Sequence, residues 1–437
     1  MKKKSFSFLL SIVVFSFLLV SLTGCGGGSK QSASSENKIV FSLWGSVDQM
    51  KVDQQIIDEF KQSHTNVEFQ IIHIPSQTRY NDKLLTMLAG GTAPDVMFVH
   101  LNAFPVYAES GRLLDLDPYI QRDLKKEIND IYPLALKTFQ YKGKQFAFPR
   151  DISGWVMFYN KKLFKESGVA YPTANWTWNN FENACKAITK DTNKDGVYDS
   201  YGAIFPQYLP IILSAFGGAI FDNEENPTKC LIAANPNNLK AMEWIKKLFD
   251  EKAVAPLDIA TGVGTHEIFM SGKIGMYFTG RWKVTDFKTI KGFDWDVCSV
   301  PKGISRRATR QSGSALAISK DSKNKDLAWE FLKFYTGKQG VKISVKGGRL
   351  TPIYKSMANS AFFLNQRPPE NMQAFVDTMK YGIAGTKFPK NGEVLFVFQN
   401  VLQEMIQGSL TPEKAIVRMQ NDLTKIIEDY QNTKPKS

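Results

Sequence analysis

Cysteine is scarce: four in 437 residues, at positions 25, 185, 230 and 298, with no C-x-x-C pair. That excludes a disulfide framework. Apart from Cys25, the spacing of the other three fits one bridge or three buried thiols equally. Histidine is as rare, at 64, 73, 100 and 266, and no H-E-x-x-H, G-x-S-x-G or Walker A pattern occurs, so the common metallohydrolase, serine-hydrolase and P-loop signatures are missing. No internal repeat is evident, and after the N-terminal leader no second long apolar run follows, so the body reads as soluble. Acidic residues are outnumbered, 42 against 55 basic ones, for a net charge of +13, three of it from lysines 2–4. The basic residues are spread singly over helix-like segments and not clustered with aromatics. This argues against nucleic acid and fits an anionic envelope or lipid surface. Apolar residues are plentiful, 43% of the chain with 12% aromatic, and patterned sequence runs over about 400 residues. That length predicts two or three lobes with well-built cores.

The N-terminus reads MKKKSFSFLLSIVVFSFLLVSL, with three lysines, an apolar stretch broken only by serines and no acidic residue before Cys25. This is the pattern of a signal peptide over residues 1–24. Leu22-Thr23-Gly24-Cys25 resembles the bacterial lipobox, whose cysteine is diacylated and becomes the mature N-terminus. Two acyl chains hold a protein stably at a membrane where one holds it marginally. Residues 25–37, GGGSKQSASSEN after the cysteine, have the composition of a flexible tether.

From Lys38 the pattern alternates. KIVFSLW (38–44) reads as a strand, DQQIIDEFKQ as a helix with Ile56, Ile57 and Phe60 on one face, and VEFQIIHI (67–74) as a strand. A second unit follows: NDKLLTMLAGG with Leu84, Leu85 and Leu88 inward, then the strand VMFVH. Such alternation predicts an α/β fold with a parallel sheet covered by helices. Ligands in such sheets sit beyond the strand C-terminal ends, which directs attention to residues 44–48 and 100–102. Pattern changes at 144–164, 300–320 and 347–354 read as crossings between lobes.

Lys38 to Trp44, AGGTAPDV (89–96), YNKKLF (159–164), MYFTGRW (276–282) and ALAISKDSKNKDLAWEFLKFYTGKQG (315–340) resemble, in order and spacing, the extracellular solute-binding proteins, family 1, of ABC importers. The resemblance implies a two-lobed, type II periplasmic-binding-protein-like fold similar to maltose-binding protein, with hinge crossings between lobes. The N-terminal lobe would comprise 38–149 and 306–349, and the C-terminal lobe 150–305 and 350–437. It implies a monomer, lipid-anchored through Cys25 at the outer face of a Gram-positive cell membrane. There it would capture a carbohydrate, most members binding oligosaccharides, for the transmembrane subunits of a permease. Two other classes use compatible features: a ligand sensor for a membrane kinase, and a secreted glycoside hydrolase, which needs only two carboxylates across a sugar cleft.

A sugar presents flat C–H faces and a rim of hydroxyls, so its site calls for aromatic platforms and polar side chains able to bond twice. The resemblance places Trp282 as a platform, Trp44 and Asp48 in the loop after the first strand, and Asn102 with its neighbour His100 after the third. It places Asp151, Ser153 and Trp155 at the first crossing, and Gln207 and Tyr208 in the second lobe. Leu395 stands where the related protein has a further tryptophan platform. Trp176 and Trp178 are expected to pack around a helix start at Thr177 or Trp178, and Trp244, Trp295 and Trp329 to be structural. Asp191, Asn193, Asp195 and Asp199 in DTNKDGVYD match the first part of an EF-hand loop, but the twelfth position is Gly202 instead of Glu. A structural calcium completed by a distant carboxylate and an Asx-turned loop both fit. No cofactor is required.

Overall fold

The computed structural model describes residues 37–433 other than 225, 262 and 384–386. The expected leader, Cys25 and the tether up to Glu36 lie outside the described residues. β-branched and aromatic residues put KIVFSLW into strand β1 (Lys38–Trp44), with Ile39, Phe41 and Leu43 fully buried. Gly45, at φ +146°, ends it in a conformation that L side chains rarely adopt. The chain turns there so that Ser46 caps helix α1 (Val47–Ser63). The Gln49 N–H donates to Ser46 Oγ, and Gln49 Oε1 accepts from the Ser46 N–H. Strand β2 (Glu68–Ile74), helix α2 (Gln77–Ala89) and strand β3 (Val96–His100) follow. On α2 the buried residues are Tyr80, Leu84 and Leu88. Leu85, expected inside, is 41% exposed, because Tyr80 fills the inner position. The Tyr80 hydroxyl donates to the Phe98 carbonyl at 3.0 Å and lies 2.8 Å from Ser42 Oγ, tying α2 to two strands.

The remaining strands are the short ladder β4 (Gln140–Tyr141) with β5 (Lys144–Gln145), then β6 (Phe148–Gly154), β7 (Val156–Asn160), β8 (Tyr201–Ile204), β9 (Ile274–Thr279), β10 (Trp295–Cys298), β11 (Thr309–Ile318) and β12 (Gly382–Ile383). One sheet runs β12-β11-β3-β1-β2, with β6 also on β11. In it β1 is parallel to β2 and β3, while β11 is antiparallel to β3 and β6. The second sheet runs β10-β7-β9-β8, parallel only between β8 and β9. Both belong to one compact unit from Glu36 onward. No helix among the described residues is long and apolar enough to cross a membrane.

The register decides what meets at the edge of the first sheet. Because β1 and β3 are parallel, Trp44 and His100 end at the same edge, and antiparallel β11 brings Ser314 opposite His100. The chain passes to the second sheet at Gly154-Trp155, later than the expected boundary at 149, because β6 stays paired with β11 through Gly154. A Cβ on Gly154 would come within 2.3 Å of Thr378 Cβ, so the passage closes on that side chain. The third passage also falls later than 347–354. Tyr354 still bridges to Ile131 and Ser356 N–H donates to Asp130, and Glu370 N–H reaches Asp296 of the second sheet.

Two apolar cores form, one around Phe41, Phe98, Phe331 and Trp329, the other around Trp178, Phe181, Phe278 and Met419. Thr177 caps the helix Trp178–Ile188 with Asn180 as partner, and the Trp178 ring packs on Phe181, Trp244 and Phe278. Trp176 packs on Phe164. Cys185, Cys230 and Cys298 are free and buried, and burial raises all three thiol pKa values, Cys298 to about 11. They behave as small apolar side chains.

Candidate functional site

Between the two sheets lies a cleft of about 810 Å3, lined from both. The first sheet's side contributes Trp44, His100, Asn102, Asp151 and the β11 residues Arg310, Ser312, Gly313 and Ser314; the second contributes Phe205 to Gln207, Tyr277 to Thr279 and Trp282. Of the ten side chains expected at a ligand, the structure gathers seven here: Trp44, His100, Asn102, Asp151, Trp155, Gln207 and Trp282.

Three are placed elsewhere. Asp48 lies in the exposed first turn of α1 and pairs with Lys51 at 2.9 Å. The Ser46 cap turns that loop so that Gln49, not Asp48, lines the cleft. The Ser153 hydroxyl meets Thr351 Oγ1 at 3.3 Å and is buried. Tyr208 is buried behind the lining, packed against two residues that do line it, with the Arg310 guanidinium 4.5 Å from its ring centroid and the Trp155 ring 6.4 Å away.

Trp282 follows β9 in a short 3₁₀ turn, Arg281–Lys283. Its indole folds back over Gly280, where a Cβ would fall 2.0 Å from Cζ3 and 2.3 Å from Cη2. Gly280 is therefore what permits this ring position. Its neighbour Arg281 is absent from the cleft lining: it is buried, donates to Gln366 Oε1 at 2.7 Å, packs over Phe363, and burial lowers its pKa to about 9. On the other wall Trp44 packs an edge against Phe98 and a tilted face on Tyr80, each 5.2 Å away, and is half-buried.

Hydrogen-bonding groups surround these rings. The Asn102 N–H donates to His100 Nδ1 at 3.2 Å, so the imidazole carries its proton on Nε2. Burial, aided by the nearby Arg310 cation, lowers the His100 pKa to about 3, so the ring is neutral near pH 7. Thr265 Oγ1 and the Tyr277 hydroxyl lie 2.9 Å apart. Gln77, Thr78 and Asn81 line the cleft from the first turns of α2, a contribution that sequence reading missed because that segment was read only for its apolar face.

A largely buried ionic cluster forms part of the cleft floor, with Arg150 and Arg349 in its lining. Arg349 Nη1 donates to Asp53 Oδ1 at 2.6 Å, and the Tyr335 hydroxyl donates to the same oxygen. Arg150 lies 3.8 Å from Asp53, donates from Nε to Ser314 Oγ at 2.9 Å, and covers the Phe98 ring at 4.4 Å. Burial pushes the Arg150 pKa down, but Tyr335, Asp151 and Asp53 outweigh it and hold it above its ordinary value. Asp151 Oδ1 accepts from the Ser314 backbone N–H at 3.0 Å and from its hydroxyl. Helix α1, β6, β11 and the segment at Arg349 are thus joined under the site. Arg310 differs: its guanidinium lies between Trp155 at 5.1 Å and Tyr208 at 4.5 Å, and burial lowers its pKa while Tyr208 opposes the shift. Among the described residues, Asp151 is the one carboxylate in the cleft lining.

The loop 191–199 bonds to itself. Asp191 accepts from the Gly196 N–H, Asp195 from the Val197 N–H and the Asn193 amide, and Asp199 from the Thr192 N–H. Asp191 Oδ1 is buried without a partner, but calcium takes six to eight oxygens, and no group of three His, Cys, Asp or Glu among the described residues is placed to hold a metal. As arranged, these residues form Asx turns. Gly202 sits on β8 with its Cβ direction 2.2 Å from Cys185 Cα, so no side chain, Glu included, fits at the position where an EF-hand loop would end.

Residues 44–342 match the family model of bacterial extracellular solute-binding proteins, and the chain belongs to that family. Among curated relatives, the galactooligosaccharide-binding protein of Bacillus subtilis (strain 168) is 23% identical over 95% of both chains. The diacetylchitobiose binding protein of Streptomyces coelicolor is 28% identical over 76% of this chain and 78% of its own. Among solved structures, an ABC substrate-binding protein of Listeria monocytogenes in complex with cycloalternan superposes with a TM-score of 0.81 at 28% identity. It covers 90% of this chain and 99% of its own. The fold is the two-lobed α/β fold of these binding proteins.

Proposed function

We propose that this protein is the substrate-binding component of an ABC importer and captures an oligosaccharide in the cleft between its two sheets. The observation that carries this reading is the composition of that cleft: tryptophans from both sheets, surrounded by amides, hydroxyls and a neutral imidazole that can each bond sugar hydroxyls. The three relatives named above carry a galactooligosaccharide, diacetylchitobiose and cycloalternan in their names, all oligosaccharides, which supports the same class here. A glycoside hydrolase needs two carboxylates across the bond it cleaves, and among the described residues Asp151 alone lines the cleft, which favours binding without reaction.

In this reading the two sheets and their helices move as two lobes about the three passages, the first lobe built on the β12-β11-β3-β1-β2 sheet and the second on the β10-β7-β9-β8 sheet. Sugar held by one lobe completes its hydrogen bonds with the other, and the closed form engages the permease. The protein acts as a monomer, exported and held at the outer membrane face by acyl chains on Cys25. No cofactor takes part. Calcium at Asp191, Asn193, Asp195 and Asp199 would be a structural addition, detected as a calcium-dependent rise in melting temperature that Asp195→Ala abolishes.

Thermal unfolding of the purified protein against a panel of oligosaccharides, polyols and glycerol phosphates tests the reading. At about 100 times its Kd a true ligand adds about 2.7 kcal/mol of stability. A rise confined to oligosaccharides, with the sugar recovered intact, is expected. A rise with glycerol phosphate alone, or recovery of cleaved sugar, overturns it.

A further inference from the structure

A second cavity, of about 660 Å3, adjoins the main cleft, and Gln207 lines both. Its volume is that of a small-molecule site. On one side the rings of Tyr198 and Tyr201 stack 5.3 Å apart at 21°, with Lys252 Nζ 5.6 Å above Tyr198. Lys252 follows the helix Pro236–Asp250 at φ +52°, a left-handed position usually given to glycine. The chain accepts that backbone strain with a lysine whose ammonium covers the cavity's aromatic wall. On the other side the helix Asn391–Ile406 and its C-cap present Gln399, Gln403 and Gln407, spaced four apart on one exposed face. Earlier on the same face Phe396 is 64% exposed.

The chemistry selects a class of ligand. A side-chain amide donates and accepts at once, as a sugar hydroxyl does, whereas an anion needs donors alone. Lys252 and Asp258 both line the cavity, so neither sign of charge dominates it. A row of amides facing the tyrosine pair, with the Lys252 ammonium over Tyr198, suits a neutral sugar unit whose hydroxyls the amides and the ammonium can bond.

We propose that this cavity is an extension subsite that takes the distal units of a neutral oligosaccharide whose first units occupy the main cleft, Gln207 bonding the sugar where it passes from one to the other. The inference rests on the oligosaccharide reading above and adds that binding discriminates by chain length. It accounts for the lack of any role for the amide row in the main site.

The test is calorimetric titration of the whole protein and of Gln399→Ala/Gln403→Ala with ladders of gluco-, galacto- and N-acetylglucosamine oligosaccharides of about two to six units. Both positions are exposed, so the fold is preserved. In the ladder that binds, the wild type gains affinity with length. The variant keeps its affinity for the shortest bound member and loses at least about fivefold on the longest, the effect of one neutral hydrogen bond. Equal losses at every length, or no loss, overturn the extension subsite and leave the main-cleft reading standing. A wild type that binds no member of any ladder overturns both.

Discussion

Replacing Gly280 by alanine is expected to disable ligand binding although Gly280 itself offers no side chain to a ligand. The new Cβ would lie 2.0 Å from Trp282 Cζ3, 2.3 Å from Cη2 and 2.5 Å from Cε3. Carbon atoms pack at about 3.5 to 4.0 Å, so the indole must retreat by more than about 1 Å or leave for another rotamer. The backbone is not the obstacle, since Gly280 sits at φ −102°, open to any residue. If Trp282 is the platform, the loss approaches that of Trp282→Ala, about 1 to 3 kcal/mol, or about 5- to 150-fold in Kd. Calorimetric titration with the sugar found by thermal unfolding measures it, and the melting temperature of the unliganded variant separates lost binding from lost folding. A folded Gly280→Ala or Trp282→Ala protein with wild-type affinity would refute the reasoning and make Trp282 a packing residue.

Other consequences concern charge. Arg310→Ala should weaken ligand binding by about 1.5 to 3 kcal/mol, the range for hydrogen bonds to a charged donor, and should let the His100 pKa rise as a neighbouring cation disappears. Titration calorimetry and imidazole NMR shifts read the two effects. The His100 pKa of about 3 lies below its ordinary 6.5, so between these values the unfolded state binds more protons than the folded one. His100 therefore stabilises the fold fully above pH 6.5, and its contribution is lost as pH falls toward 3, by at most about 1.4 kcal/mol per pH unit. Urea unfolding across that window should show a slope that His100→Gln reduces; an unchanged slope refutes the assignment. Asp53→Ala removes the carboxylate partner of buried Arg349 and leaves Arg150 with Asp151 alone, and should cost about 3 to 5 kcal/mol in urea unfolding. A loss below about 1 kcal/mol would mean the cluster is not coupled as drawn.

Local pattern carried much of the fold. β1, α1, β2, α2 and β3 were legible because each has a hydrophobic period of its own, and Trp44, His100 and Asn102 followed from the rule that ligands sit past parallel strand ends. What stayed hidden depends on contacts between distant segments or on one turn of backbone. Asp48 and Gln49 are adjacent and both polar, and only the geometry of the Ser46 cap decides which faces the cleft. Arg349 gains meaning from Asp53, 296 residues away, and Arg310 from Trp155 and Tyr208. The boundaries at 149 and 349 shifted because strand pairing of β6 and the Tyr354–Ile131 bridge outlast the change in composition that marks them. Trp176 and Trp178 were readable as packing because a capping residue and an inner-face phenylalanine flank them.

The most direct measurement uses the eight tryptophans as reporters. With indole nitrogens labelled, NMR spectra of the protein are recorded with and without saturating oligosaccharide. A sugar bound between the two sheets should shift the indole resonances of Trp44, Trp155 and Trp282, assigned by single substitution, and leave Trp176, Trp178, Trp244, Trp295 and Trp329 near their free positions. Binding shown by calorimetry that moves none of those three, or moves chiefly the buried set, would contradict the placement of the ligand in this cleft.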